Sequence, residues 1–203
     1  MIDLHIEVID VQLLFETNNS PQTYVEESGK YPDAPSRCPH CHNPVKLSKH
    51  GFYTRYIILL LFAGNIRIRR YICLKCGLTV SMLPSFCIPR YQYGAEVIIT
   101  ALLTAAMNSS TRYAVTRWSE RPQTLTRRHI IHYRQRVVQN RGRIQLGLNL
   151  MSPGFIEMKQ ITGDTDWTSK FLEAATEIKP PQFNSRYHRL TGKSFMSLHN
   201  NVA

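Results

Sequence analysis

Cys38-Pro39-His40-Cys41 and Cys73-Leu74-Lys75-Cys76-Gly77 are two Cys-x-x-Cys turns, and 31 residues separate them. Each turn places two sulfurs on one side of a tight bend, where backbone N–H groups can hydrogen-bond to the thiolates. Zinc in structural sites takes four such ligands in a tetrahedron, and Gly77 suits the positive φ that usually closes the bend. We therefore predict one structural Zn2+, bound by Cys38, Cys41, Cys73 and Cys76.

Other uses of these residues can be weighed against a zinc site. The stretch from Cys38 to His42 also fits the Cys-x-x-Cys-His pattern of c-type haem attachment, but that chemistry requires export and leaves the second pair unexplained. A closed four-thiolate site has no open position for water, so we predict a structural rather than a catalytic ion. The isolated Cys87 is predicted to be a small core residue. Three histidines could each replace a cysteine as ligand, but four thiolates already complete the tetrahedron, so these histidines are predicted to lie on the surface: His40, His42 and His50.

The residues around the two turns are rich in strand formers. Gly51–Phe62 and Ile66–Ile72, joined by Ala63-Gly64-Asn65, predict a hairpin that brings the two turns together. Leu78–Met82 could add a third strand, and Ile6–Phe15 could be a strand or a short helix. The pattern is typical of a small β zinc ribbon.

Beyond the ribbon the pattern becomes helical. Residues 95–107 are apolar on nearly every side, which predicts a buried helix. Two further helices, 111–118 and 124–140, are predicted on either side of Ser119–Gln123, the second capped by Thr124 or Thr126. Two helices joined by a short turn resemble a helix-turn-helix.

The predicted fold class is therefore α+β, a β zinc ribbon followed by a mainly helical domain and an irregular tail. The predicted divisions are an acidic N-terminal arm, a zinc ribbon with its connector, a helix-turn-helix-like domain and a C-terminal tail, at 1–35, 36–89, 90–148 and 149–203.

The charge of the chain is strongly positive. Lys and Arg total 25 against 14 Asp and Glu, a formal net charge of +11. Residues 112–143 contain nine arginines and a single acid, Glu120. This surplus favours a polyanionic partner, either nucleic acid or an anionic membrane surface. No apolar run reaches the ~20 residues of a membrane span and no signal peptide is visible, so a cytoplasmic protein is predicted.

The helix predicted at 124–140 has two distinct faces. Ile130, Tyr133 and Val137 follow i, i+3, i+7 and are predicted to pack inward, with Ile131 and Val138 widening that stripe. A second face carries side chains of the kind that read guanine and adenine edges: Arg128, His132, Gln135 and Gln139. The arginines around it are predicted to bind phosphates: Arg112, Arg117, Arg127, Arg134, Arg136, Arg141 and Arg143. The alternative is an ordinary solvated, arginine-rich helix.

Several motifs together resemble the N-terminal zinc ribbon of bacterial insertion-sequence transposases. They are similar above all to a family of short transposase-like bacterial proteins with that ribbon and a following helix-turn-helix. The resemblance covers roughly residues 36–143 and implies that the four cysteines bind zinc and that the helical segment reads DNA. Leu190–Ser197 is also similar to the family. The motifs are Cys38–Cys41, His50–Arg55, Arg69–Gly77, Leu83–Phe86 and Pro89.

The chain departs from full transposases after the basic helix. Those enzymes continue into an RNase-H-like domain with three metal-binding carboxylates, whereas 60 residues follow Arg143 here. The function predicted is therefore a non-catalytic DNA-binding regulator or accessory factor of mobile-element origin, with RNA or a transposase as further possible partners. The alternatives are a subunit or remnant of a metal-dependent transposase or nuclease using Asp164 and Asp166, and a zinc-stapled protein-interaction module.

Overall fold

The computed structural model describes residues 10–27, 32–44, 47–107, 125–151 and 163–197. The chain divides into two compact units. The sheet unit comprises Met1–Tyr56 and Gly64–Pro84, and the helical unit comprises Ile57–Ala63 and Ser85–Ala203. The α+β class predicted from sequence is confirmed.

The strands that precede and follow each cysteine turn form one four-stranded sheet. The strands are β1 Asp10–Phe15, β2 Ser48–Ile58, β3 Ala63–Ile72 and β4 Thr79–Pro84. Their order in the sheet is β1-β4-β3-β2. β1 is parallel to β4, with Val11 opposite Val80, and β3 is antiparallel to β4, with Tyr71 opposite the same Val80. Every residue of β4 is buried, as expected of a central, largely apolar strand.

The turn of the β2–β3 hairpin lies earlier than predicted. Ala63-Gly64-Asn65 already belongs to β3, and the chain reverses over Leu59–Phe62, where the Leu59 N–H donates to the Phe62 carbonyl at 2.7 Å. Ile57, Ile58 and Leu59 are buried. Burial of this apolar run, rather than the local Gly-Asn signal, fixes where the strand ends.

The segment between β1 and the first cysteine is tied to the sheet. It contains a short helix, α1 (Pro21–Glu26), whose N-cap is Ser20. The Tyr24 hydroxyl donates to the Arg67 carbonyl at 3.0 Å, and the Tyr71 hydroxyl donates to the Pro32 carbonyl at 2.6 Å. The acidic N-terminal arm therefore contributes a strand and a helix to the sheet unit.

The helices described in the helical unit are α2 Ala95–Met107, α3 Arg127–Gln139, α4 Arg141–Met151, α5 Asp164–Glu177 and α6 Pro180–Thr191. α2 packs against α3, α5 and α6, and α4 packs against α3 and α6. The predicted buried helix is buried at six positions between Ala95 and Leu102, whereas residues 103–106 are half-buried and Met107 is exposed. Among the residues described, no helix is long and apolar enough to cross a membrane.

The prediction of an irregular tail was wrong for the part of 149–203 that the structure describes. Two helices, α5 and α6, lie there, and Pro180 and Pro181 open α6 in its first turn, where proline is tolerated. Aromatic residues at helical spacing supply the reason, because they bury one another. Five rings form the cluster, with centroid separations of 5.4–6.2 Å between neighbours: Trp167, Phe171, Phe183, Tyr187 and Phe195.

Candidate metal centre and basic helical surface

The four predicted cysteines come together in the sheet unit. Their sulfur atoms all lie within 4.8 Å of one another. The Cys38 and Cys76 sulfurs are 3.7 Å apart, and so are those of Cys41 and Cys73. A tetrahedral site with Zn–S bonds of about 2.3 Å separates its sulfurs by about 3.8 Å. The group can therefore hold one metal ion in a four-thiolate tetrahedron.

Both cysteine turns have the same backbone hydrogen bonds. In each, the first cysteine donates its N–H to the carbonyl five residues on, and its own carbonyl accepts from the N–H four residues on. Two loops from distant parts of the sequence thus hold their sulfurs on equivalent backbone turns. The bonds run from Cys38 to Asn43 (3.1 Å), His42 to Cys38 (3.0 Å), Cys73 to Leu78 (2.9 Å) and Gly77 to Cys73 (2.8 Å).

The residue that closes each turn has positive φ. Gly77 has φ 72°, as predicted, and the equivalent His42 has φ 53°. A side chain in the left-handed region is uncommon, although histidine is among the residues that tolerate it. Nothing in the sequence indicated this conformation at His42, which was predicted only to be a surface histidine.

Backbone donors favour a thiolate at the centre of the second turn. The pKa of Cys73 is lowered to about 7, because its sulfur accepts hydrogen bonds from the backbone of Cys76 and Lys75, although burial opposes the shift. The backbone of Leu78 likewise lowers the pKa of Cys76, but burial and the neighbouring sulfurs outweigh this and raise it to about 12. Four thiolates this close repel one another, and a bound cation would remove that repulsion.

The buried face of α3 matches the prediction at three positions. Ile130, Tyr133 and Val137 are buried, and the Tyr133 ring lies 5.8 Å from Tyr91 between centroids. Ile131 is 39% exposed, so its predicted place in the inward stripe was wrong. It follows Ile130 by a single residue, a rotation of about 100° that carries it off the buried stripe. Val138 is half-buried.

The opposite face of α3 is exposed at all four predicted base-reading positions, Arg128, His132, Gln135 and Gln139. Burial and the nearby charge of Arg136 lower the pKa of His132, so this ring is uncharged at neutral pH and offers hydrogen bonds rather than charge.

One of the two predicted caps begins α3. The Thr126 side chain accepts from the His129 N–H at 3.4 Å, and the His129 ring accepts from the Thr126 N–H at 3.2 Å. This reciprocal pair is a capping box.

The flanking arginines differ in how exposed their side chains are and in whether these contact other residues. Arg127 and Arg134 are exposed. Arg136 is half-buried and donates to the Gln139 side chain at 3.3 Å. The predicted phosphate contacts Arg112 and Arg117 lie outside the described residues, as do the predicted helix 111–118 and its turn.

Two other predicted phosphate contacts have structural partners. The Arg141 guanidinium lies 5.4 Å from the centre of the Trp167 ring. Arg143 donates to the Ser197 hydroxyl at 3.0 Å. Both side chains are half-buried, so they connect α4 to the C-terminal segments of the helical unit as well as adding positive charge.

The side chain that sequence reasoning missed is Asn140, which lies fully buried between α3 and α4. Its Nδ2 donates to the carbonyls of Arg136 (3.0 Å), Phe195 (3.0 Å) and Ser197 (2.9 Å). In the same region, the Tyr91 hydroxyl donates to the Met196 carbonyl at 3.0 Å. An asparagine near a glycine indicated a helix end, and nothing in the sequence indicated that it holds the motif Leu190–Ser197.

Of the two acids that the enzymatic alternative would use, Asp164 and Asp166, the structure describes the side chain of Asp166, which is exposed. The four cysteines are the one group of three or more candidate ligands that the described parts of the chain bring close enough to hold a metal ion.

Fold and site together define a chain with a four-cysteine metal centre in a small sheet unit and an arginine-rich surface in a helical unit. A family model described as a domain of unknown function (DUF6431) matches residues 38–128. The match begins at the first cysteine and ends at Arg128 in α3, so it includes all four cysteines. No curated protein and no solved structure matches the chain.

Proposed function

We propose that this protein binds DNA through the exposed face of α3, and that a structural zinc ion stabilises its sheet unit. In this proposal it is a non-catalytic regulator or accessory factor related to mobile-element transposases. The observation that carries the proposal is the composition of 125–151, which has six arginines and no acid, together with the exposed row of Arg128, His132, Gln135 and Gln139 on α3.

The donor set and its spacing support zinc. Four thiolates at tetrahedral separation suit Zn2+ or an iron–sulfur centre. A colourless protein with one zinc per chain would support zinc, and visible absorption with bound iron would contradict it. The ion would supply cross-linking, because four sulfurs leave it no open position for chemistry. By binding one ion together, the four cysteines would join two loops that are distant in the sequence.

The burial pattern of α3 supports DNA binding. One face is anchored by Ile130, Tyr133 and Val137, so the opposite face is held rigidly instead of moving on a loop. Arginine and glutamine can each make paired hydrogen bonds to a purine edge in the major groove, and this geometry discriminates between bases. The exposed Arg127 and Arg134 would bind phosphates and so set the register of the helix.

The test is selection of bound sequences from a random duplex pool, followed by affinity measurements across salt. We expect a defined site and an affinity that falls steeply between about 50 and 200 mM salt. The double variant R128A/Q135A should lose the preference, with each lost base contact reducing discrimination by about 1–3 kcal/mol. An enriched pool that does not differ from the input, or binding insensitive to salt, would refute the proposal. The same measurements with RNA decide which nucleic acid is preferred.

A further inference from the structure

The segment around the metal centre is as one-sided in charge as α3. Between Asp33 and Glu96 the chain has 62 residues without a carboxylate. The interval spans both cysteine turns and strands β2–β4, so the sheet unit carries a basic region of its own. Eight basic residues of the interval lie in the sheet unit, and Arg90 lies in the helical unit. The eight are Arg37, Lys46, Lys49, Arg55, Arg67, Arg69, Arg70 and Lys75.

Two of these arginines lie against one aromatic ring. The guanidinium carbon of Arg67 is 4.3 Å from the centre of the Phe52 ring, and that of Arg69 is 4.5 Å from it. Over residues 66–69 of β3, the buried Ile66 and Ile68 alternate with the exposed Arg67 and the half-buried Arg69. The arrangement therefore holds two cations together on the outward face of the β2–β3 hairpin.

Holding two like charges together has an energetic cost that the ring offsets only in part. A cation over an exposed aromatic ring gains only a modest electrostatic attraction. Neither guanidinium has an acidic partner among the residues described. An anion at this position would relieve the repulsion. Alternate residues of a strand lie about 6.6 Å apart on one face, and both guanidinium carbons lie within 4.5 Å of the centre of the same ring. Arg67 and Arg69 are therefore close enough to act on one phosphate backbone together.

We propose that Arg67 and Arg69, positioned by Phe52, form a second DNA contact, a phosphate-binding surface on the sheet unit that acts in addition to α3. The proposal deepens the DNA binding proposed above and rests on it for the identity of the ligand. Phosphates look the same in every sequence, so this surface raises affinity for all duplexes alike and leaves base preference to α3.

The test uses the full metal-loaded chain and a fluorescent duplex of arbitrary sequence. Arg67→Gln combined with Arg69→Gln removes two phosphate contacts, so the slope of log affinity against log salt should fall by about two. Affinity near 100 mM salt should fall at least about tenfold, while the base preference stays that of the parent protein. Metal content and circular dichroism of the variant should be unchanged, because both side chains lie on the outward face.

Two further variants separate the surface from bulk charge. Lys179→Gln with Lys193→Gln removes the same charge from two exposed side chains of the helical unit and should leave the salt slope as it was. Phe52→Leu keeps an apolar side chain but removes the ring, and affinity should fall about two- to five-fold. An unchanged slope in the Arg67/Arg69 variant, or an equal fall in the lysine control, would overturn the proposal.

The outcomes also distinguish this surface from the function proposed for α3. If R128A/Q135A abolishes sequence preference while the Arg67/Arg69 variant binds like the parent, the α3 proposal stands and this inference fails. If the Arg67/Arg69 variant loses binding while R128A/Q135A changes nothing, this inference stands and the α3 proposal fails. Binding to phosphatidylserine vesicles that requires Arg67 and Arg69, with no effect of these residues on DNA, would also overturn it.

Discussion

At the scale of single residues, the two cysteine turns offer a controlled comparison. Gly77 and His42 close equivalent turns with positive φ, and a Cβ at Gly77 would meet no atom within 4 Å. Gly77→Ala should therefore lower the free energy of unfolding by about 1–2 kcal/mol through backbone strain alone. His42→Gly should raise it by about 0.5–1 kcal/mol, because relief of strain exceeds the added chain entropy. Urea denaturation of metal-loaded protein measures both, and shifts of the same sign would contradict the argument.

Substitution of Asn140 should destabilise a segment far from it in the sequence, because its side chain donates to the carbonyls of Phe195 and Ser197. Asn140→Asp keeps the shape of the side chain but removes the Nδ2 donor, leaving the carbonyls of Phe195 and Ser197 without their partner. Each buried group left unsatisfied costs about 1–3 kcal/mol, so we expect about 2–4 kcal/mol of destabilisation in thermal unfolding. Asn149→Asp, at a half-buried position of α4, is the matched control and should change stability by less than about 1 kcal/mol.

At the scale of secondary-structure elements, the sequence predicted the helices whose signals lie within their own residues. The period of α3, its Thr126 cap and the apolar run of α2 can be read directly from the chain. The helices α5 and α6 were missed although both are amphipathic. Pro180-Pro181 is a local signal typical of irregular chain, and the stability of these helices comes from rings that meet only after folding. The β2–β3 turn was misplaced for a related reason, since burial of Ile57–Leu59 overrides a good Gly-Asn turn signal.

The same rings make the C-terminal segment an element of the helical core rather than an appendage. Truncation after Gly192 removes the fully buried Phe195 and Met196 and the carbonyls that Asn140 holds. Loss of one large buried side chain costs about 3–5 kcal/mol. The truncated chain should therefore lose cooperative unfolding of the helical unit and its DNA affinity, yet retain its metal ion. Truncation after Ser197, which spares these contacts, is the control, and equal stability of the two chains would refute this role.

At the scale of the whole molecule, removal of metal should destabilise the sheet unit more than the helical unit. The candidate metal ligands Cys38 and Cys73 are part of the apolar core of the sheet unit, beside Tyr71 and Val80. The helical unit has its own core in the aromatic cluster. Because metal-binding energy becomes folding energy where the site is absent in the unfolded chain, removal of the ion should unfold residues 36–83 and leave most helical signal intact.

Two cysteine variants make that prediction sharp. Cys73→Ser removes a ligand and should abolish stoichiometric metal binding and amide-exchange protection across β2–β4. Cys87→Ser changes an equally buried cysteine of the helical unit that is no ligand, so metal content should remain at one ion per chain. Exchange measured by mass spectrometry reports each unit separately. A Cys73→Ser chain that keeps protected strands without metal would show that the sheet folds on its apolar core alone, and the four cysteines would then have no structural role.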